Sequence, residues 1–482
     1  MQAAGIKIIT DISGTVKSAV EFFKKGKIKP GKIVMKNNKS FTGLLKTVIL
    51  LGILFSFNTS VPAKDSEKSV LNKFKDIPFG FVTLDMGGSL RLRYEYQGNF
   101  NAKKYGQNLG DDFLLERFRL ELDFKFDRNL HLFTQMQDAH PCGLYFTVKD
   151  FPTYSPYENP FDLREAFVEW KKIAETPLGV KLGRQTIFYA DNRVFGPGEW
   201  GNVGKYYWDA IKFTYDMRYF RTDIFAMQRV ISNPTEFDTA DTNLTAYCLY
   251  TSMRKFVPVV DMFYVLKEND KENLNSSTVG TRFEGYYKNP RFLYAGTFAF
   301  QFGDKGKDSI DAYGFNTQLN YTFPKFWLSK IGIEYSYASG DSNPKDSKYQ
   351  TFDGVFGAVD MYYGRMNLLA WMNLKDYQLN LNINPLPNVL SKLNGSLQYH
   401  WFELAESKDA WYYSDGKAQR KDVTGFAGTA LGREIDLIVK YELDKHFEIL
   451  AGYGYFIPNS FIEKTGTYEP ANWSFLQTTF KF

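Results

Sequence analysis

Cysteine and histidine are scarce in this sequence of 482 residues. It has two cysteines, Cys142 and Cys248, and four histidines. Two isolated cysteines allow at most one disulfide and lack the spacing of a metal-ligand cluster, which excludes a disulfide-rich scaffold and a zinc site. The histidines are scattered, and none stands with a serine and an acidic residue in a recognisable catalytic spacing. The sequence therefore predicts a protein that is not an enzyme and needs no cofactor.

Long apolar runs are also missing. The most apolar stretch, 44–57, is interrupted by Lys46 and is too short to cross ~30 Å of hydrocarbon as a helix. It fits a secretory signal instead, because Met35 and several lysines precede it and small residues follow at 61–63, where cleavage would occur. We therefore expect three parts: an upstream extension of the gene model at 1–34, a cleaved signal peptide at 35–63 and the mature chain at 64–482.

The formal net charge of +5 does not describe the mature chain. Residues 1–63 contain ten lysines and two acidic residues, a surplus of eight positive charges, so 64–482 carries a net charge of −3. A basic surface of the kind that binds nucleic acid is therefore not expected.

Aromatic residues are abundant. The chain has 44 Phe and 32 Tyr, yet its mean hydropathy is only −0.35. The reason is strict alternation: in 116–126 one face carries Phe and Leu, while the other carries Arg117, Arg119 and acidic residues. Such alternation is typical of a strand between lipid and a polar lumen. The same pattern occurs at 89–96, 211–215, 313–323, 331–337, 377–383 and 434–442.

Short and long connections separate these segments. Tight turns are predicted at 127–129 and 444–446. Longer polar loops are predicted at 97–112, 139–162, 304–311, 340–354 and 403–425. An outer-membrane barrel has short turns at one rim and longer loops at the other.

The chain also ends on Phe482. A terminal strand that ends on an aromatic residue resembles the signal read by the outer-membrane assembly machinery.

Strand number follows from length. The 419 residues of 64–482, at roughly 22–26 residues per strand with its loops, predict 16–18 strands, with 18 favoured. The predicted fold class is all-β, a transmembrane antiparallel β-barrel in the lipid of a Gram-negative bacterial outer membrane. A barrel of this width cannot fill its interior with wall side chains, so it encloses a channel unless loops plug it.

Six short motifs occur in order along 64–482: FDLREAFVEW at 161–170, VKLGRQ at 180–185, YADNR at 189–193, GEWGN at 198–202, WDAI at 208–211 and LGREIDL at 431–437. Taken together, they resemble the alginate-export family of outer-membrane barrels over nearly all of 64–482. This resemblance implies a monomeric barrel of 18 strands with a narrow, arginine-rich constriction. It further implies outward passage of an anionic polyuronate or similar solute, with a periplasmic export scaffold as partner.

Arginines on the polar faces are the candidate solute contacts, because a guanidinium binds two carboxylate oxygens and stays charged. The alternative is that they only form ion pairs with acidic neighbours in the wall. A bulge near Gly183 is expected to turn Arg184 inward, and Trp200 is expected to be an anchor at the membrane interface. The alternation does not fix which face Arg164 and Arg365 occupy. The candidate pore-lining residues are Arg91, Arg93, Arg117, Arg119, Arg164, Arg184, Arg193, Arg433, Glu434 and Asp436.

The sequence thus predicts a passive outer-membrane channel for anionic polysaccharides, oligosaccharides or other anionic solutes. The alternative is a general diffusion porin for small nutrients. Two further classes, a plugged structural or adhesin barrel and a barrel enzyme, have less support in the residues.

Overall fold

The computed structural model describes residues 74–151, 154–256, 258–287, 291–324, 327–384 and 391–482. The upstream extension expected at 1–34 and the signal peptide expected at 35–63 lie outside these residues. Among the helices of the described residues, none is long and apolar enough to cross a membrane.

Eighteen long strands in the described residues form the wall, and each pairs antiparallel with its neighbours. The first and last of them also pair, from Ser89↔Lys481 to Gly98↔Asn472, so the sheet is closed. The prediction of an antiparallel barrel with 18 strands favoured is confirmed. The wall strands are β2 Val82–Phe100, β3 Tyr105–Lys125, β4 Leu130–Cys142, β5 Asn159–Trp170, β6 Leu178–Gln185, β7 Trp208–Asp216, β8 Phe220–Ile231, β9 Thr239–Met253, β10 Val259–Asn269, β11 Leu274–Tyr286, β12 Phe292–Lys305, β13 Asp308–Thr322, β14 Leu328–Ala338, β16 Leu374–Ile383, β17 Leu393–Glu403, β20 Ala430–Glu442, β21 Phe447–Pro458 and β22 Ala471–Lys481.

Shorter elements lie at the ends of the wall. They are β1 Ile77–Phe79, β15 Lys348–Tyr349, the β18 Ala410–Tyr412 and β19 Ala418–Lys421 pair, helix α1 Ser460–Thr465, and 3₁₀ turns at Val148–Asp150, Ile173–Glu175 and Asp270–Glu272. Strand β1 forms a hairpin with β2, and the short strand β15 pairs parallel with β13.

Side chains alternate across the wall as the sequence pattern predicts. On β2, Arg91 and Arg93 are 4% and 2% exposed, whereas Leu92 between them is 37% exposed. On β20, Glu434 and Asp436 are fully buried while Ile435 is 40% exposed. The polar residues face the lumen and the apolar residues face outward, which is the polarity required in a bilayer.

Short turns gather at one rim, which we call the short-turn rim. In the turn at 127–129, the Asp127 carboxylate accepts the N–H groups of Asn129 at 2.6 Å and Leu130 at 2.8 Å. Asp444 accepts the N–H groups of His446 and Phe447 in the same way. These side-chain bonds replace backbone bonds in a tight reversal, and both predicted turns are confirmed.

Several predicted loops are shorter than expected. The segment 97–112 is mostly strand, because β2 and β3 remain paired, with one register shift after Gly98, as far as Phe100↔Tyr105, and only 101–104 connects them. Likewise 304–311 reduces to the two residues 306–307 between β12 and β13. At the opposite rim, which carries the longer loops, both faces of a strand can be polar. The alternation of polar and apolar residues that identifies a strand is therefore lost there.

The seam between the first and last wall strands, β2 and β22, depends on Gly88. The Gly88 N–H donates to the Phe482 carbonyl at 3.1 Å, and the Phe482 N–H donates to the Gly88 carbonyl at 3.0 Å. A Cβ at position 88 would lie 2.3 Å from the Arg119 carbonyl oxygen and 2.5 Å from the Phe482 ring. A side chain there cannot be accommodated without moving the backbone.

Gly88→Ala is therefore expected to destabilise the closed barrel by about 1–3 kcal/mol, the usual cost of overpacking. The fraction of purified protein that migrates as a folded barrel on unheated SDS gels should fall, and its heat-unfolding temperature should drop. Gly395→Ala is the matched control, because a Cβ there meets its nearest atoms at 3.8 Å. Equal behaviour of the two variants would contradict the role of Gly88 at the seam.

Candidate functional site: an arginine cluster in the lumen

Two long loops fold into the lumen and meet there. We call 186–207 the first inner loop and 339–373 the second. The Phe356 N–H donates to the Val194 carbonyl at 3.1 Å, and the Gly196 N–H donates to the Phe356 carbonyl at 3.0 Å. Phe195 and Phe356 are 1% and 2% exposed. The loops thus form one packed body inside the barrel, and they narrow the passage through it.

Five inward-facing arginines surround one part of the first inner loop. Arg91 on β2 lies directly opposite Arg117 on β3, and like charges in that position repel each other. All five are buried, so their charges need compensation from the protein or from a bound anion. We call these residues the arginine cluster: Arg91, Arg93, Arg117, Arg119 and Arg164.

The carboxylate of Glu199, on the first inner loop, lies at the centre of this cluster. Its Oε2 is 2.7 Å from Nη1 of Arg119 and 3.3 Å from Nη1 of Arg117. Its Oε1 is 2.9 Å from Nη2 of Arg164. The surrounding protein alone would raise the pKa of Glu199, but Arg119, Arg164 and Arg117 lower that pKa well below its usual range. Glu199 is therefore ionised, and 41% of its side-chain surface remains accessible.

Backbone carbonyls of the same loop satisfy the other two arginines. Arg91 donates to the carbonyls of Glu199 at 3.1 Å and Gly201 at 3.0 Å. Arg93 donates to the Trp200 carbonyl at 2.6 Å, and its Nε lies 2.6 Å from the carboxylate of Glu95 on the wall. The loop is thus held against the wall by its main chain as well as by one carboxylate.

The cluster has more positive charge than its partners neutralise. Within the described residues, the five guanidinium groups form ion pairs with only two carboxylates, those of Glu199 and Glu95, and the carboxylate of Asp360 acts on Arg93 at longer range. Several guanidinium N–H groups of the cluster are buried without a hydrogen-bond acceptor among the described residues, including Nε and Nη1 of Arg164 and Nη2 of Arg119. Buried donors without partners are costly, so this geometry favours binding of a further anion.

Two glycines allow the loop to approach the wall this closely. Gly204 has a φ of +90°, and a Cβ there would lie 2.6 Å from Nη2 of Arg164. Gly198 has a φ of +63°, a value that glycine adopts without strain. Gly198 is the first residue of the GEWGN motif at 198–202, and Gly204 follows the motif. The motif supplies Glu199 and the carbonyls that the arginines bind.

Trp200 lies in the lumen, so the expectation that it anchors the barrel at the membrane interface is wrong. The Arg93 guanidinium lies 4.1 Å from the centre of its ring. The rings of Trp473 and Phe475 pack edge-on against it at 5.6 and 4.8 Å. The backbone N–H of Trp200 donates to the carboxylate of Asp360 on the second inner loop at 3.1 Å. The large apolar ring of Trp200 thus fills the space between the first inner loop and the wall.

A second sector of the lumen wall is acidic. Glu434 and Asp436 on β20 accept backbone N–H groups of the second inner loop, from Met366 at 2.9 Å and Arg365 at 3.1 Å. The Arg365 side chain turns toward the wall and donates to Gln398 at 2.8 Å. In the structure, the two predicted acidic residues face the lumen and hold a loop.

Arg193 connects the first inner loop to the same sector. Its Nη2 lies 2.7 Å from Glu334 on β14, and its Nη1 donates to the Tyr363 hydroxyl at 3.0 Å. Its guanidinium also lies 4.0 Å from the centre of the Tyr362 ring. Arg193 is thus inside the barrel, separate from the arginine cluster and paired with a wall carboxylate.

One of the predicted pore-lining arginines lies on the outer face. Arg433 has the same strand parity as Ile435, and it lies 4.9 Å from the Trp401 ring.

Arg184 lies within the wall. The bulge expected near Gly183 does not occur, because β6 pairs with both neighbours without a register shift. The Arg184 guanidinium forms an ion pair with Asp209 at 2.9 Å. It also lies 3.7 Å from the buried Asp162 carboxylate and donates to the Asp238 carbonyl at 3.0 Å.

No metal centre is formed by the part of the chain that the structure describes: it contains no group of three histidine, cysteine or acidic side chains placed to bind an ion. Cys142 is exposed, Cys248 is buried, and both are free thiols. His400 is buried in the wall between Asp376, at 3.0 Å, and Gln378, at 3.1 Å. Each ring nitrogen of His400 therefore has a hydrogen-bond partner in the wall.

Comparisons with known proteins agree with this architecture. The family model described as alginate export matches residues 82–473. No curated protein matches. Among solved structures, Acinetobacter baumannii OccAB2 is similar, with a TM-score of 0.56 and 12% identity, and the match covers 82% of this chain and 98% of that one. Pseudomonas aeruginosa OpdQ has a TM-score of 0.55 and 11% identity, and the match covers 83% of this chain and 98% of that one. Pseudomonas aeruginosa OpdK with vanillate has a TM-score of 0.54 and 11% identity, with the same coverage.

Proposed function

Because the chain belongs to the alginate-export family of outer-membrane barrels, whose members are channels and not enzymes, we propose that its arginine cluster selects the solute. The solute is an anionic polysaccharide or oligosaccharide, or another anionic molecule, that crosses passively. The observation that carries this proposal is the excess of buried guanidinium groups around the single loop carboxylate of Glu199.

The chemistry suits a moving carboxylate. A guanidinium offers a planar pair of donors that matches two carboxylate oxygens, and it stays charged at any working pH. Several such groups along the wall give a polymer a series of weak sites, so that it leaves one as it reaches the next. Conduction requires this balance between entry and release.

A general diffusion porin remains the second candidate. The two inner loops narrow the lumen, which favours a selective channel over an open pore. The OpdK structure contains vanillate, a small aromatic carboxylate, so a solute of that size and charge is an alternative to a sugar polymer. Both alternatives use the same arginine cluster, and solute size separates them.

Single-channel current in planar bilayers tests the proposal directly. A trimeric uronate is expected to interrupt the current reversibly, whereas a neutral trisaccharide of the same size is expected to leave it unchanged. Equal block by both sugars, or by neither, would contradict anion selection and favour the general porin. A complete absence of channels from folded protein would favour a plugged barrel.

The proposal includes how the chain reaches the membrane. The leader at 35–63 directs export and is removed near Lys64, and the assembly machinery recognises the terminal strand that ends at Phe482. The barrel works as a monomer. A periplasmic export scaffold, implied by the family, delivers the solute to the short-turn rim.

A further inference from the structure

A second group of cations lies at the short-turn rim, away from the arginine cluster. The ends of β5 to β9 and their turns line a cavity of about 510 Å³ there. Two acidic residues line the same cavity, Glu169 and Asp216. The cations that line it are Lys171, Lys172, Lys181, Arg218, Arg221, Arg254 and Lys255.

The cavity belongs to the mouth of the lumen and not to the lipid-facing surface. Lys181 alternates with Leu182, which is 57% exposed on the outer face, so Lys181 points inward. It lies opposite Glu169 on β5 and Lys212 on β7. The lysine is placed 3.5 Å from the centre of the Phe167 ring, another inward-facing residue. A solute that enters the barrel from this rim passes these groups.

The acidic residues of the cavity offset only part of its positive charge. Asp216 lies 2.9 Å from Nη1 of Arg254. Glu169 forms a hydrogen bond with Nε2 of His131 at 2.9 Å and acts on Lys181 and Lys171 at longer range. Arg221 pairs with Asp223 at 3.0 Å. Within the described ranges, no carboxylate lies within ion-pair distance of the other five cations of the cavity: Lys171, Lys172, Lys181, Arg218 and Lys255.

We propose that this cavity, which we call the entry cluster, is a second anion site that captures carboxylate-bearing solutes arriving at the short-turn rim. The inference rests on the proposed function, because the captured solute then moves to the arginine cluster. Clustered charge at the mouth of a narrow cleft raises the local concentration of an oppositely charged solute and hence its rate of entry. The short-turn rim of such barrels faces the periplasm, so the entry cluster serves solutes from that side.

The test is the rate of uronate block measured separately from each side of a bilayer. Insertion direction is fixed by a biotin tag in the loop 404–429, which streptavidin reaches from one side only. In the variant Lys171→Gln/Lys172→Gln/Lys255→Gln, the association rate from the short-turn side is expected to fall about tenfold at low salt. The rate from the opposite side and the dissociation rate should not change.

A matched control removes the same charge elsewhere on that rim. Lys392, Lys445 and Lys481 are exposed and lie near the turn at 444–446. Their triple replacement by Gln is expected to leave the rates from both sides unchanged, and heat-shifted gel mobility verifies that every variant is folded.

The outcomes separate this inference from the proposed function. If uronate blocks the unmodified channel from neither side, the proposed function fails. If it blocks from both sides and the two triple variants behave alike, the entry cluster is not a capture site, while the arginine cluster keeps its role. An equal fall in rate from both sides would also overturn the entry cluster, because it would indicate a general effect of charge.

Discussion

Replacing both Arg117 and Arg119 with serine is expected to remove most of the anion preference of the channel. Both side chains are buried in the lumen wall beside the accessible carboxylate of Glu199, so they are positioned to bind a solute carboxylate. A hydrogen bond to a charged group contributes roughly 1.5–3 kcal/mol. Losing two of them, about 3–6 kcal/mol in total, should weaken uronate block by about 100-fold or more. The reversal potential under a salt gradient measures the change in selectivity.

Arg433→Ser is the control for this experiment. Arg433 is also an arginine of the barrel wall, but it lies on the outer face against Trp401. Its loss should leave both selectivity and block unchanged. A folded Arg117→Ser/Arg119→Ser variant with an unaltered reversal potential would show that these arginines only hold the loop in place.

The ion pairs in the lumen indicate which arginines form pairs within the wall and which are placed to bind a solute. Arg93 pairs with Glu95 on its own strand, and the Trp473 indole N–H also donates to that carboxylate at 3.1 Å. This is a wall pair of the kind expected in any large barrel. Arg117, Arg119 and Arg164 instead share a carboxylate from a loop. Among the described residues, no wall carboxylate lies within ion-pair distance of these three arginines.

Much of the wall could be predicted because lipid imposes a period of two. In β3, Phe118 faces outward while Arg117 and Arg119 are buried, as alternation in 116–126 requires. The signal fails where lipid no longer contacts the strand, and this is why 97–112 was predicted as a loop. The prediction that Arg433 lines the pore ignored this period. Arg433 stands two residues before Ile435 on the same strand, so alternation already places it on the outer face.

The centre of the site could not be predicted from the same signal. Glu199 lies in a loop without periodicity, and its contacts join it to three strands that are distant in sequence. The fold of the loop depends on long-range packing such as Phe195 against Phe356. The one local clue was the GEWGN motif at 198–202, whose glycines and single carboxylate indicate a special backbone position. It supported the family resemblance, but it did not reveal which residues would meet.

Glu199→Gln is expected to act in the opposite direction to the arginine variants, raising anion preference and strengthening uronate block by about tenfold. The carboxylate now competes with the solute for Arg117, Arg119 and Arg164. Glutamine keeps the shape of the side chain and one acceptor oxygen, but it removes the competing charge. The bonds from Arg91 to the carbonyls at 199 and 201 do not depend on the carboxylate, so the loop should keep its position.

The low pKa of Glu199 gives this prediction an independent check. A carboxylate whose pKa is depressed by neighbouring arginines remains charged as the pH falls through the usual range of glutamate, about 4–5. Lowering the pH to about 4, where an ordinary glutamate is more than half protonated, should therefore not reproduce the effect of Glu199→Gln. Glu463→Gln, which removes an exposed charge from helix α1, should change neither block nor reversal potential. Weaker block in Glu199→Gln would mean that the carboxylate positions the arginines and does not compete with the solute for them.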